Sequence, residues 1–100
     1  MDRLHHIAFQ VTDISQALSW YQDNLDVDVA YADDSWALLT FENVQMALVL
    51  PGQHPPHIAV ERADAENYGP LTKHRDGTAS TYTEDPFGNA VEIMQSDRPV

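Results

Sequence analysis

The sequence predicts an α+β domain in which one order, strand, helix and three strands, occurs twice, the second time in shortened form. Three observations carry that expectation. A period-2 stretch at Leu4–Val11 is followed at once by a period-3.6 stretch from Ile14 to Leu25, the switch that marks a strand feeding a helix. The run His6-Ile7-Ala8-Phe9 returns as His57-Ile58-Ala59-Val60 after a proline-broken segment. The chain has 100 residues, 43% of them apolar, enough for one core and too few for a second independent one.

In the first stretch Leu4, His6, Ala8 and Gln10 fall on one face of a strand, and His5, Ile7, Phe9 and Val11 on the other. Thr12 or Asp13 can then cap a helix, because their side-chain oxygens accept the free N–H groups of a first turn. Ile14, Leu18, Tyr21 and Leu25, with Ala17 beside them, give that helix one apolar stripe as far as about Asn24. Val27–Ala32 and Ser35–Phe41 read as short strands joined at Asp33-Asp34, and Glu42-Asn43 turns the chain into a further strand, Val44–Leu50. Pro51, Gly52, Pro55 and Pro56 make the next segment a linker, since proline cannot donate to a ladder. His57–Glu61 then opens a second copy. Ala63 to about His74 is expected to form a shorter helix, weakened by Gly69-Pro70. Thr78–Glu84 and Ala90–Gln95 are expected strands flanking the turn Asp85-Pro86-Phe87-Gly88-Asn89. The expected organisation is a single domain over residues 1–100: module one at about 1–50, a linker at 51–56, and a shortened module two at about 57–96.

Sixteen acidic against five basic residues give a net charge of −11. Such a surface repels phosphate backbones and anionic membranes, so neither nucleic acid nor membrane is an expected partner. The absence of cysteine excludes disulfides, cysteine-based zinc sites, iron–sulfur clusters and thiol nucleophiles, and leaves His, Asp and Glu as possible metal ligands. No stretch approaches the roughly 20 apolar residues of a membrane span, and the start lacks the apolar core of a leader. A cytoplasmic location is the expectation.

LHHIAFQVTDISQALSWYQDNLDV at the front, HIAV after the linker and DPFGNAVEIM near the end together resemble the vicinal oxygen chelate superfamily, which includes glyoxalases, fosfomycin- and bleomycin-resistance proteins and extradiol dioxygenases. The resemblance covers the whole chain, with the region 63–77 shorter than usual. It implies two βαβββ modules whose strands form a curled, half-closed mixed sheet around a cavity, with helices outside and a divalent metal on the inner face. Carried over position by position, the ligands fall on His6, His57 and Glu92. Strand parity agrees. Ala8 and Gln10 accompany His6, Ala59 and Glu61 accompany His57, and Ala90 and Met94 accompany Glu92, while Ile7, Phe9, Val11, Ile58, Val60, Val91 and Ile93 take the opposite faces, suited to packing under helices. Small alanines beside the ligands leave room for an ion and its ligand.

Two imidazoles and one carboxylate form a facial triad with open positions on Fe, Mn, Ni, Co or Zn, which would act as a Lewis acid toward an oxygen-bearing substrate. A lone His at a strand start is commonly an ordinary structural residue; three at matching positions outweigh that reading. Ala8, Gln10, Ala47, Ser80 and Tyr82 are expected to line the substrate cavity, with Tyr82 the candidate proton donor, against the plainer reading that Tyr82 fills space with a wet hydroxyl. His5 falls with Ile7 and Phe9, and His54 in the linker and His74 at a helix end are expected to be solvated. Trp20 and Tyr21 belong to the first helix, and Trp36 suits a pocket wall and sheet-edge packing equally.

The pattern also departs from its relatives. Ala47 stands where glyoxalase I and methylmalonyl-CoA epimerase relatives place a fourth-strand glutamate, which argues against isomerase chemistry of that kind; Gln45 could substitute only if the register shifts by two. Ala8 replaces the Thr of fosfomycin thiol transferases, and only Lys73, Arg75 and Arg98 in the second half could hold a phosphonate. The readings left are a metal-dependent lyase, transferase or dioxygenase acting on a small molecule, a metal-free protein that sequesters a drug-like compound, and a degenerate domain serving only in assembly. The curtailed second helix, and a missing strand if the shortening extends that far, would leave apolar surface for a second chain to cover, so a homodimer is expected.

Overall fold

The computed structural model describes residues 1–96 and holds one α-helix and eight strands in a mixed sheet that does not close into a barrel. The strands are β1 (Arg3–Gln10), β2 (Asp28–Ala32), β3 (Trp36–Thr40), β4 (Gln45–Val49), β5 (His57–Arg62), β6 (Thr72–Lys73), β7 (Ala79–Glu84) and β8 (Ala90–Gln95), and the helix α1 is Ile14–Asn24. Two compact units emerge, one of residues 6–56 and one of residues 1–5 with the segment that begins at His57.

In the first unit α1 starts where the Asp13 carboxylate accepts the Gln16 N–H at 2.9 Å, so Asp13 rather than Thr12 is the cap. The helix ends at Leu25, which turns extended. β1 runs parallel to β4, with His6 opposite Gln45 and Ala8 opposite Ala47; β4 pairs antiparallel with β3, and β3 with β2, where the register slips between Val29 and Tyr31. Ile14 joins Ala37, Leu39, Met46 and Leu48 in a buried core, and Ala17, Leu18 and Tyr21 pack against it. The apolar stripe read from the sequence therefore faces the sheet, except Leu25, which lies exposed beyond the last turn.

The second unit repeats the strand order without the helix. β5 is parallel to β8, β8 antiparallel to β7, and β7 antiparallel to β6. The expected helix from Ala63 to His74 is replaced by a single 3-10 turn, Ala65–Tyr68. Asp64, the residue before it, makes no side-chain cap bond there and instead accepts two hydrogen bonds from the Arg62 guanidinium at 2.8 and 3.2 Å. Gly69-Pro70 then stops the chain within one turn, too short a run for a helix to propagate. The segment released forms β6, so the second module keeps four strands and lacks only its helix. Its core is smaller: Val60, Ala65 and Ile93, with Leu71 and Val91 against them. Phe9 and Ile58, expected under helices, are 48% and 40% exposed. Arg98 lies outside the described residues.

Candidate metal centre

His57 and Glu92 reach one face of adjacent parallel strands because Ala59 is the register partner of Glu92, which sets His57 on the diagonal. Both are buried, at 8% and 5% exposure. His57 Nε2 stands 3.1 Å from Glu92 Oε1. A buried carboxylate is costly unless its oxygens are hydrogen-bonded, and the other oxygen, Oε2, accepts from Ser80 Oγ at 2.6 Å. Ser80 in turn lies 2.7 Å from His74 Nε2. Tyr82 is directly opposite Glu92 on β7, and its ring makes a T-shaped pair with the His57 ring, centroids 5.2 Å apart at 88°. Burial first, then the negative charge of Glu92, raises the Tyr82 phenol above its ordinary range, so it stays protonated and able to donate.

His6 belongs to β1, with Gln45 across from it. Divalent ions such as Zn²⁺ sit about 2 Å from nitrogen and oxygen donors, and His57 Nε2 and Glu92 Oε1, 3.1 Å apart, are spaced as two ligands of one ion are. Two imidazoles and one carboxylate are also the donor set that suits Fe, Mn, Ni, Co or Zn. The residues fit such an ion.

Ser80 is buried and shares the β7 face with Tyr82, which is partly exposed. Ala8 and Ala47 are buried against Val49 with Leu38 beside them; they are as small as expected and packed. Gln10 is exposed and its amide donates to the His54 carbonyl at 2.8 Å. Trp36 stacks on Tyr31, centroids 4.7 Å apart. The expectation for His74 is corrected: it is not a solvated residue at a helix end but a half-buried one hydrogen-bonded to Ser80. The signal that could have found it is Asp76-Gly77, a hairpin turn dipeptide. In the β6–β7 hairpin the His74 N–H donates to the Thr78 carbonyl at 2.8 Å, and Thr72 faces Ser80, so alternation brings His74 to the face of Ser80.

A search of curated proteins returns no significant match. Among solved structures, the chain is similar to a glyoxalase/bleomycin resistance protein/dioxygenase superfamily member from Vibrio splendidus 12B01, at 18% identity and TM-score 0.73 over 96% of this chain and 100% of that one. It is similar to methylmalonyl-CoA epimerase from Mycobacterium tuberculosis at 17% identity and TM-score 0.76, covering 98% of this chain and 88% of that one. A hypothetical protein, BH1468 from Bacillus halodurans C-125, matches at 16% identity and TM-score 0.76 over 99% and 97% of the two chains. Likeness at this level of identity is a likeness of fold. The family model for the Glyoxalase/Bleomycin resistance protein/Dioxygenase superfamily matches residues 3–69, and with two thirds of its length inside that match this chain belongs to the superfamily.

Proposed function

We propose that the protein is a metal-dependent enzyme acting on a small molecule with adjacent oxygens, in which His6, His57 and Glu92 hold a divalent ion. The observation that supports this is the buried pair of His57 Nε2 and Glu92 Oε1, 3.1 Å apart. When bound, Fe, Mn, Ni, Co or Zn supplies Lewis acidity to a substrate oxygen. The chain's own residues do the rest. Ser80 holds one oxygen of Glu92 in place, and the protonated Tyr82 hydroxyl donates a hydrogen bond to a substrate oxygen at the edge of His57. Ala47 offers no carboxylate to abstract a proton, which favours lyase, transferase or dioxygenase chemistry over epimerisation.

A melting titration tests this. An ion at a hundredfold excess over its Kd adds about 2.7 kcal/mol, a shift on the order of 10 °C in a domain this size. At least one of Fe²⁺, Mn²⁺, Ni²⁺, Co²⁺ and Zn²⁺ should give it, and His6→Ala and Glu92→Ala should abolish it. If none of the five moves the melting temperature, the metal-dependent reading fails. The second reading, a metal-free binder of small molecules, is favoured by one observation: His57 and Ser80 already supply partners to both Glu92 oxygens, and no described buried side-chain N or O lacks a partner.

A homodimer in the cytoplasm belongs to the same proposal. Ile58 and Tyr68, both exposed, offer apolar surface that a second copy could cover. No described helix is long and apolar enough to cross a membrane.

A further inference from the structure

We propose that His74 and Ser80 form a hydrogen-bonded relay that pins Glu92 Oε2, so that Glu92 meets its metal through Oε1 alone; this rests on the metal reading above. Ser80 Oγ lies 2.6 Å from Glu92 Oε2 and 2.7 Å from His74 Nε2, and a hydroxyl has a single hydrogen to give. An ionised carboxylate only accepts, so that hydrogen goes to Oε2. His74 Nε2 must then carry its own proton and donate it to Ser80 Oγ, which excludes the neutral Nδ1–H tautomer. His74 Nε2 is 3.6 Å from Oε2, too far for a direct hydrogen bond, so Ser80 is a necessary link.

The hairpin is built to hold this chain. Gly77, at φ +88°, takes a conformation side chains disfavour, and its N–H closes the turn onto the His74 carbonyl at 3.1 Å. Asp76 accepts both the Thr78 N–H and hydroxyl, at 2.9 and 2.7 Å. Ser80 is 1% exposed, so water does not readily take its place. With Oε2 held by Ser80, Oε1, 3.1 Å from the fellow ligand His57, is the oxygen placed to meet the ion. A carboxylate held to one oxygen occupies one coordination position instead of two, which keeps adjacent positions open for a two-oxygen substrate. His74 and Ser80 are thus positioning residues, and partners of this kind affect metal affinity by about 10–100-fold.

The test uses the full chain and Co²⁺ as the probe, followed by calorimetry and by the cobalt absorption bands. Ser80→Ala and His74→Ala should each weaken Co²⁺ binding about tenfold and alter the bands, as the carboxylate is freed to swing. His74→Gln, whose amide can donate from a similar reach, should recover most of the affinity. Co²⁺ affinities of Ser80→Ala and His74→Ala within twofold of the native chain overturn the relay while leaving the metal reading intact, as does a His74→Gln no better than His74→Ala. Nitrogen-15 spectra of the metal-free protein decide the hydrogen-bond chain separately: neutral His74 as the Nε2–H tautomer supports it and the Nδ1–H tautomer overturns it. A native chain that takes up no Co²⁺ removes the metal reading and the ligand role of the relay together.

Discussion

The two halves of the chain share a strand order and differ in what covers it. The first half lays an 11-residue helix on its sheet, and Leu39 and Leu48 beneath it are fully buried. The second has a four-residue 3-10 turn in the same place, over a core of Val60, Ala65 and Ile93. Buried polar groups distribute the other way: His57, Ser80, Thr81 and Glu92 all belong to the second half. Apolar burial is the main source of stability, whereas buried hydrogen-bonded polar groups contribute geometry more than energy. The helical half therefore holds most of the apolar core, and the other half holds the buried polar cluster.

The largest effect should come from challenging that division directly. Leu48→Ala removes a fully buried side chain from the helical core and should cost about 2–5 kcal/mol, a fall in melting temperature of about 8 °C or more at this size. Ile58→Ala, on the thinly covered half and 40% exposed, should cost less than about 1 kcal/mol. Urea unfolding of both variants makes the measurement. A loss at Ile58 as large as that at Leu48 would show that something covers β5 in solution, and sedimentation would then reveal a second chain.

A smaller effect should follow from the turn that replaces the second helix. Gly69 has φ +151°, and a Cβ added there would lie 2.8 Å from the Thr81 hydroxyl oxygen. Gly69→Ala should therefore destabilise by about 1–3 kcal/mol through backbone strain and the displacement of Thr81. If the variant melts with the native protein, the 3-10 turn is not what holds β5 and β7 around this core.

Most of the strand order was legible because its signals are local. The alternation in LHHIAFQV, the stripe through ISQALSWYQDN and the return of HIAV each depend on neighbouring residues. The same parity placed His57 and Glu92 on one face, where they meet at 3.1 Å. What could not be read was the outcome of a competition. Between Ala63 and His74 a weak helical pattern is cut by Gly69-Pro70 and followed by the Asp76-Gly77 turn, and the stretch left before Gly69 is too short to repay helix nucleation. His74 was lost with that segment, since its partner Ser80 is reached only once a hairpin replaces the helix. Phe9 and Ile58 show the other limit: alternation tells which face a side chain takes, and not whether anything covers that face.

The smallest effect concerns acid, and it compares the turns of the two halves. Asp33, between β2 and β3, is held well below the ordinary carboxylate range chiefly by the Tyr31 hydroxyl, then by the Ser35 hydroxyl and N–H, with the Trp36 N–H adding a little. In the second half Asp76 is lowered mainly by Thr78, and Asp85 mainly by Asn89. A carboxyl whose folded-state pKa lies below its unfolded value of 3.8 stabilises the fold fully above that pH, and the contribution fades as pH falls further and the folded state must take up the proton. Melting temperatures measured between pH 7 and pH 2 should therefore drop less steeply below pH 4 in Asp33→Asn than in the native chain. Asp85→Asn should flatten the curve less, because its carboxyl has the milder shift. Parallel curves for Asp33→Asn and the native protein would mean that the β2–β3 turn does not contribute to acid sensitivity. The loss would then have to come from the second half, where Asp76 closes the hairpin that carries His74.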